Sequence, residues 1–194
     1  MKSLRIFILF ALVFVMVFSS SSVSLAKQSV HKNLAPNPSF EKANKEKLLP
    51  AGWILGEPWC CNAGTFSWVT GNAYDGKYSI SVSDVPLTEG AVWRTQEPLH
   101  LYPVDVYTFS VYMKGDIDTF AIMQVYSVDA NGNLIDPMTV GFGTFNNSTW
   151  TYNEINFSPP AGAVGSYLVL GAAANGLPTT GTIYFDNVSL KLNY

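Results

Sequence analysis

Short segments in which apolar and polar residues alternate follow one another along most of the chain. In Val106–Lys114, for example, Phe109 and Val111 fall on one face, and Thr108 and Ser110 fall on the other. A period of two is typical of a half-buried β-strand, because successive side chains of a strand point to opposite faces. Six segments show this pattern: Tyr78–Ser83, Val106–Lys114, Phe120–Val128, Thr149–Phe157, Tyr167–Ala172 and Thr182–Leu192. The pattern predicts an all-β fold, an antiparallel β-sandwich of the jelly-roll type.

Glycine-containing turns separate the predicted strands. Lys114-Gly115-Asp116 and Asn131-Gly132 are typical of tight turns, since glycine adopts a positive φ without steric cost. Around the second of these, Asp129, Asn131 and Asn133 imitate the start of an EF-hand calcium loop. The glycine is out of place for that loop, and Val140 stands where its bidentate acid would be. The segment therefore predicts a hairpin turn.

The first residues of the chain form a leader of different composition. Basic residues precede an uncharged apolar run, Ile6–Phe18, and Ser24-Leu25-Ala26 matches a small-x-small cleavage site. This combination is typical of a secretory signal peptide, and the run falls short of the roughly 20 residues that a membrane helix needs. We predict a signal peptide over residues 1–26, a flexible N-terminus over residues 27–32 and one domain over residues 33–194. The mature protein is then secreted, extracellular and free of the membrane.

Few charges and many aromatic rings characterise the composition. Charged residues make up 13% of the chain and aromatic residues 14%, and the formal net charge is −3. Phosphate contacts need clustered Lys and Arg, so the absence of a basic cluster argues against a nucleic-acid partner. A polar, weakly charged surface suits a neutral partner such as a glycan, and it also suits other extracellular domains.

The two cysteines, Cys60 and Cys61, are neighbours in the sequence. They cannot connect distant strands. A small-ring disulfide between them, a pair of free thiols and a bridge to another chain all remain open. A structural zinc site wants about four ligands, and only His31 and His100 could add to the pair, which argues against zinc.

A series of motifs spans nearly the whole predicted domain. The motifs are Asn33-Leu34-Ala35-Pro36-Asn37-Pro38-Ser39-Phe40-Glu41, Pro50-Ala51-Gly52-Trp53, Gly76-Lys77-Tyr78-Ser79, Tyr107–Lys114, Thr149–Phe157 and Tyr184-Phe185-Asp186-Asn187-Val188-Ser189-Leu190. In this order they resemble the motifs of carbohydrate-binding modules of families 4, 9 and 22, which are galactose-binding-like jelly rolls. The resemblance implies the same sandwich and a polysaccharide or oligosaccharide as the partner.

The resemblance also implies a structural calcium ion where the first and last strands meet. The matching positions are Glu41, Asp75, Lys77 through its backbone oxygen, and Asp186. Calcium is a hard cation that takes about six to eight oxygen ligands, including carboxylates. An ion there would hold the two ends of the domain together.

Aromatic side chains are the candidates for sugar contacts, because rings stack on the C–H faces of a sugar while amides and Arg reach its hydroxyl groups. Trp53 and Trp150 lie inside the motifs and are expected in the core. Trp93 is the leading candidate platform, since its predicted strand also contains Arg94 and follows the Gly76–Ser79 motif at a distance that resembles the cleft-lining strand of the family. The full set of candidates for the cleft is Trp93, Trp59, Trp68, Tyr112, Gln124, Tyr126 and Arg94.

No catalytic motif accompanies these residues. The sequence contains no Gly-x-Ser-x-Gly elbow, no metalloprotease helix motif and no phosphate-binding glycine loop. It therefore predicts a secreted, non-catalytic carbohydrate-binding module with an aromatic-lined cleft, which would serve a secreted enzyme or a surface protein. A structural or adhesion surface protein with the same fold is the alternative. A glycoside hydrolase or polysaccharide lyase is the least favoured hypothesis.

Overall fold

The computed structural model consists of β-strands and connecting segments over the residues that it describes. These are residues 32–58, 60–86, 88–173 and 181–193, with only the backbone described at 116–120, 137 and 142–145. The strands are β1 (Trp53–Leu55), β2 (Thr65–Thr70), β3 (Tyr78–Ser83), β4 (Gly90–Thr95), β5 (Val106–Val128), β6 (Leu134–Phe157), β7 (Gly165–Ala173) and β8 (Thr182–Asn193). Over these ranges there is no helix long and apolar enough to cross a membrane. The predicted signal peptide lies outside the described residues.

β5 and β6 form one long hairpin that belongs to both sheets of a sandwich. The first half of β5 pairs with β8, from Val106 to Gly115, and its second half pairs with β7, from Phe120 to Val128. β6 pairs with β5 along both halves. One antiparallel sheet, sheet A, therefore has the order β6-β5-β8-β3-β2, and the other, sheet B, has the order β6-β5-β7-β4-β1. The predicted all-β sandwich is confirmed.

The turn predicted at Lys114-Gly115-Asp116 is a bend inside one strand, so the two strands predicted on either side of it are one. Gly115 has a φ of 152°, and a Cβ there would collide with the carbonyl oxygen of Thr182 on β8. The pairing of β5 with β6 shifts its register on both sides of this glycine, after Met113 and after Ile117. Such irregularities bend a strand, and here they carry β5 from sheet A into sheet B.

The hairpin turn predicted at Asn131-Gly132 joins β5 to β6. The Asp129 N–H donates to the Asn133 carbonyl at 2.9 Å, and the Gly132 N–H donates to the Asp129 carbonyl at 3.0 Å. The Asp129 carboxylate accepts the backbone N–H groups of Asn131 and Asn133, each at 2.8 Å. Its oxygens therefore hold the turn, as the hairpin interpretation of this segment requires.

The opening segment of the domain lies beside its last strand. The Leu34 N–H donates to the Leu190 carbonyl at 2.9 Å, and the Val188 N–H donates to the Pro38 carbonyl at 2.8 Å. The Asn33 side chain adds two hydrogen bonds to β8. Its amide N–H donates to the Val188 carbonyl, and its amide oxygen accepts the N–H of Leu190. These hydrogen bonds join the opening segment of the domain to its last strand.

The inner faces of the two sheets share one hydrophobic core. The alternation predicted for Val106–Lys114 is confirmed there, because Tyr107, Phe109, Val111 and Met113 are all buried. Full burial of a large apolar side chain contributes roughly 1.5–3 kcal/mol. Trp93 belongs to this core with no exposed surface, and its indole N–H donates to the Ser81 carbonyl at 3.0 Å.

We expect Trp93→Ala to lower the free energy of unfolding by about 3–5 kcal/mol, because the change leaves a large cavity and removes a buried hydrogen bond. Tyr152→Ala is the control, since that side chain is 49% exposed and its loss is expected to cost under about 1 kcal/mol. Urea unfolding measures both. Equal stability of Trp93→Ala and the parent protein would contradict the burial of this ring.

Candidate functional site

The outer face of sheet B gathers several of the residues predicted for a binding cleft. Strand pairing places Arg94, Val169, Gln124 and Val140 in one row across β4, β7, β5 and β6. Tyr126 and Tyr167 stand opposite each other in the neighbouring row. Residues paired in register point to the same side of a sheet. We call these six residues on the outer side of sheet B the sheet B face, although two of them, Val169 and Tyr126, are buried beneath other residues: Arg94, Val169, Gln124, Val140, Tyr126 and Tyr167.

A buried carboxylate lies against the sheet B face. Glu57 belongs to the segment between β1 and β2, and it is 7% exposed. Its Oε2 accepts the Tyr126 hydroxyl at 2.8 Å and lies 3.3 Å from Nε of Arg94. Burial raises the pKa of the Glu57 carboxyl, while the Tyr126 hydroxyl and the Arg94 charge act to lower it. Burial also raises the pKa of Tyr126, and the Glu57 carboxylate adds to the rise, so the phenol keeps its proton.

Arg94 is held in one position by its surroundings. Its Nε donates to the Gly56 carbonyl at 3.2 Å, and its Nη1 donates to the Thr95 carbonyl at 3.1 Å. The guanidinium carbon lies 4.9 Å from the centroid of the Tyr167 ring. Tyr167 in turn stacks on Tyr126, with ring centroids 5.0 Å apart. The guanidinium is therefore fixed before any ligand arrives, which spares the entropy of ordering it on binding.

Apolar side chains continue this surface toward β6. Val169 and Ile122 are buried in a second apolar cluster, separate from the main core. Met138 and Val140 remain 42% and 38% exposed, and the Gln124 amide donates to the Met138 sulfur at 3.1 Å. The Gln124 amide thus lies beside exposed apolar surface, and the buried Val169 separates it from the guanidinium of Arg94.

The two cysteines form a disulfide with each other, which decides among the three states left open by the sequence. They lie in the same segment as Glu57. The Cys61 side chain packs against the apolar cluster under the sheet B face. The disulfide is therefore part of the surroundings of this face.

The prediction that Trp93 is the leading stacking platform is wrong in this structure. A ring without an exposed face cannot stack on a sugar, and Trp93 is wholly inside the core. Neighbouring residues of a strand point to opposite sides, so Trp93 and Arg94 could not have lined one face. Trp68 is half-buried on β2, where its indole N–H donates to the Phe40 carbonyl and its ring stacks on Tyr78. Trp59 lies outside the described residues.

Tyr112 is separated from the sheet B face by the whole sandwich, which contradicts its place in a shared cleft. It lies on the outer face of sheet A and stacks on Tyr74, with centroids 3.7 Å apart. Tyr152 meets Tyr112 edge-on at 5.5 Å. Trp150, expected in the core, instead contacts Tyr74 here, and the Lys114 ammonium lies 5.9 Å from its centroid. We call Tyr74, Tyr112, Trp150 and Tyr152 the sheet A patch.

Tyr126 also differs from its predicted role. It is 2% exposed, so its ring supports Tyr167 and its hydroxyl supports Glu57 without facing solvent. The sequence analysis missed Glu57 and Tyr167. The alternation of Tyr167–Ala172 was a usable signal for Tyr167, because it places that residue opposite to Leu168. Glu57 gave no such signal, since its partner Tyr126 is 69 positions away.

The buried carboxylate of Asp186, predicted as a calcium ligand, accepts backbone N–H groups. Its Oδ2 takes the N–H of Tyr74 at 2.6 Å and of Asp75 at 2.9 Å, and its Oδ1 takes the N–H of Asn187 at 2.6 Å. Burial raises the pKa of Asp186 to about 6, and the N–H groups act in the opposite direction. Both oxygens are therefore occupied by protein donors.

The other predicted calcium ligands are engaged in a similar way. Oε1 of Glu41 accepts the N–H groups of Lys77 at 2.7 Å and Tyr78 at 2.8 Å. The Lys77 carbonyl accepts the Gly71 N–H, and Asp75 accepts the hydroxyl of Ser39. Within the described part of the chain, no group of three or more acidic, His or Cys side chains is placed to hold a metal ion. Calcium at this position stays a prediction.

A family model described as a carbohydrate binding domain, CBM_4_9, matches residues 32–175 of the chain. No curated protein matches the sequence. Many solved structures are similar to this chain, and those described next are under 25% identical, so they show the fold alone.

Carbohydrate-binding modules are among these solved structures. A family 16 carbohydrate binding module is 22% identical with a TM-score of 0.56, and the match covers 81% of this chain and 99% of that one. The CBM22-1 xylan-binding domain from Paenibacillus barcinonensis Xyn10C is 16% identical with a TM-score of 0.55, over 84% and 95% of the two chains. The enzymatically active domain of bacteriophage CBA120 tailspike protein 4 is 16% identical with a TM-score of 0.59. That match covers 83% of this chain but 21% of the tailspike domain, so this chain corresponds to a small part of it.

The contacts of Asp186 and Glu41 predict unequal effects of removing their charges. Asp186→Asn should lower the free energy of unfolding by about 1–3 kcal/mol, because the new NH₂ group must face a buried N–H donor. Glu41→Gln should cost less than about 1 kcal/mol, because the remaining amide oxygen can accept both N–H groups at this exposed site. Urea unfolding with a chelator present measures both variants.

The same pair of variants tests the calcium prediction. If the ion joins these two carboxylates, added calcium raises the melting temperature of the parent protein and both substitutions remove the rise equally. A melting temperature that calcium leaves unchanged in the parent protein would contradict the calcium prediction.

Proposed function

The chain belongs to the carbohydrate binding domain family whose model matches residues 32–175, and we propose that it binds a polysaccharide or oligosaccharide chain on the sheet B face without cleaving it. The observation that supports this most is the row Arg94, Val169, Gln124 and Val140, which places a guanidinium, an amide and apolar surface along one line, with the buried Val169 between the guanidinium and the amide. A sugar ring presents C–H groups on its faces and hydroxyl groups around its edge. This row offers a partner for each kind of group.

The charge balance of the face suits a neutral glycan. The positive charge of Arg94 is paired with the carboxylate of Glu57, and burial keeps the Tyr126 phenol protonated. A neutral ligand then meets donors and acceptors without having to displace a strongly hydrated charge, which limits the free energy needed to remove water from the surface. Met138 and Val140 supply exposed apolar area that a sugar face can cover.

The contacts of Glu57 with Arg94 and Tyr126 argue for glycan binding over glycan hydrolysis. Glycoside hydrolysis uses two carboxyl groups, roughly 5–9 Å apart, that exchange protons or attack the sugar. The carboxylate of Glu57 accepts a hydrogen bond from Tyr126 and forms an ion pair with Arg94, so it positions these two side chains of the sheet B face. We therefore propose a non-catalytic module.

We propose further that the protein acts outside the cell. The leader over residues 1–26 supports secretion, because its basic start, apolar run and small-residue site are those of an export signal. In that setting the module would keep a secreted enzyme or a surface protein close to its glycan.

Gln124→Ala is expected to raise the dissociation constant for the bound glycan roughly two- to tenfold, because one amide contributes about 0.5–1.5 kcal/mol through its hydrogen bonds. Calorimetry measures this after a screen of soluble and insoluble polysaccharides, beginning with xylan because a structural neighbour is described as xylan-binding. Asn156→Ala is the matched control, since this exposed amide lies on the outer face of sheet A and should leave affinity unchanged.

A third variant separates the two outer faces. Tyr152→Ala removes a ring of the sheet A patch, so a loss of affinity confined to that variant would place the glycan there and contradict the proposed site. Self-association with no glycan binding would instead favour the structural or adhesion alternative.

We expect no cleavage when the protein is incubated with any polysaccharide that it binds. Measurement of new reducing ends, and of unsaturated products for a lyase, provides the check. Product release that disappears in Glu57→Gln would overturn the non-catalytic assignment and give Glu57 a chemical role.

A further inference from the structure

The disulfide between Cys60 and Cys61 lies in the segment that delivers Glu57 to the sheet B face. This inference rests on the proposed function. We propose that the disulfide is a positioning element of the glycan site, which fixes Glu57 and, through it, Arg94 and Tyr126. Glycan affinity then depends on the oxidised state of the pair.

The backbone of Glu57 is bonded on both sides to residues at the disulfide. Its N–H donates to the carbonyl of Cys60 at 3.0 Å, and its carbonyl accepts the side-chain amide of Asn62 at 3.1 Å. Cys61 has a φ of 65°, in the left-handed region that side chains with a Cβ rarely adopt. A covalent bond to the preceding residue is a restraint that can hold such a backbone conformation.

Cys61 also ties this segment to β4. The Val92 N–H donates to the Cys61 carbonyl at 3.1 Å, and the Gly56 N–H donates to the Val92 carbonyl at 2.7 Å. A Cβ at Gly90 would come within 3.2 Å of the Cys61 sulfur, so the lack of a side chain at Gly90 leaves room for the disulfide. Gly56 and Cys61, on either side of Glu57, are therefore both bonded to the backbone of β4.

The Glu57 carboxylate is the acceptor that orients Tyr126 and Arg94. Glu57 accepts a hydrogen bond from the Tyr126 hydroxyl and forms an ion pair with Arg94, and Tyr126 and Arg94 both contact the Tyr167 ring. Displacing one member of a buried ion pair leaves the other without compensation, which is costly. A displacement of Glu57 would thus remove an interaction that positions the Arg94 guanidinium.

Reduction breaks the restraint in a defined way. A dithiol reductant gives two electrons and two protons to the disulfide, the S–S bond breaks, two thiols form and the reductant closes to its own disulfide. The side chains of Cys60 and Cys61 are then free to separate, and the left-handed conformation of Cys61 loses its covalent support.

The test compares oxidised and reduced protein on the polysaccharide that the oxidised protein binds best. We expect reduction to raise the dissociation constant about tenfold, and reoxidation to restore it. The double variant Cys60→Ser/Cys61→Ser should bind as weakly as the reduced protein and should not respond to reductant. If the reduced protein unfolds, the double variant replaces it in the comparison. Circular dichroism shows whether each compared protein is folded at the assay temperature.

The decisive measurement places the same reduction in a Glu57→Gln background. If the disulfide acts through Glu57, reduction of Glu57→Gln causes no further loss of affinity, whereas Asn156→Ala responds to reductant as the parent protein does. An equal loss in the parent and in Glu57→Gln would overturn the positioning role, because the disulfide would then act independently of this carboxylate.

The outcomes separate this inference from the proposed function. Glycan binding that survives full reduction, verified by a count of free thiols, would overturn the inference and leave the proposed function intact. Failure of the oxidised protein to bind any glycan would overturn both.

Discussion

The bend of β5 at Gly115 is the constraint on which the rest of the structure depends. Because the strand leaves sheet A and enters sheet B, one hairpin supplies a member to each sheet and joins them around a single core. The bend needs glycine, since the backbone of β8 passes where a Cβ would stand. It also divides the polar positions of β5 between two surfaces, with Tyr112 on one outer face and Gln124 on the other.

Alternation along the sequence predicted most of the fold and little of the site. It located β3 as Tyr78–Ser83 and the buried row of β5, because a period of two is a local property of the chain. It did not reveal that β5 is continuous, because the close approach of β8 at Gly115 is a tertiary contact. The same alternation places Trp93 and Arg94 on opposite faces of β4, since adjacent side chains of a strand point apart, whereas the resemblance to a cleft-lining strand contains no information on which side chain faces outward.

The contacts that define the site are long-range, which explains why the sequence could not supply them. Glu57 meets Tyr126 across 69 positions, and Tyr74 meets Asp186 across 112. Both pairings follow from strand order, and strand order is not encoded in any short motif. The motifs that resemble carbohydrate-binding modules specify where strands lie, so they predicted the sandwich and the family without predicting which side chains share its outer face.

The two buried carboxylates, Glu57 and Asp186, show how a domain with few charges uses them. Asp186 accepts three N–H groups near the turn before β3, and Glu57 joins a phenol to a guanidinium on the sheet B face. Asp186 accepts these donors with both of its oxygens, and Glu57 accepts with Oε2. Burial of a charge is tolerated only with such compensation, so each carboxylate imposes one arrangement on the groups around it. On the sheet B face, that arrangement fixes the guanidinium of Arg94 in one position, which supports the proposal that this face binds a glycan without cleaving it.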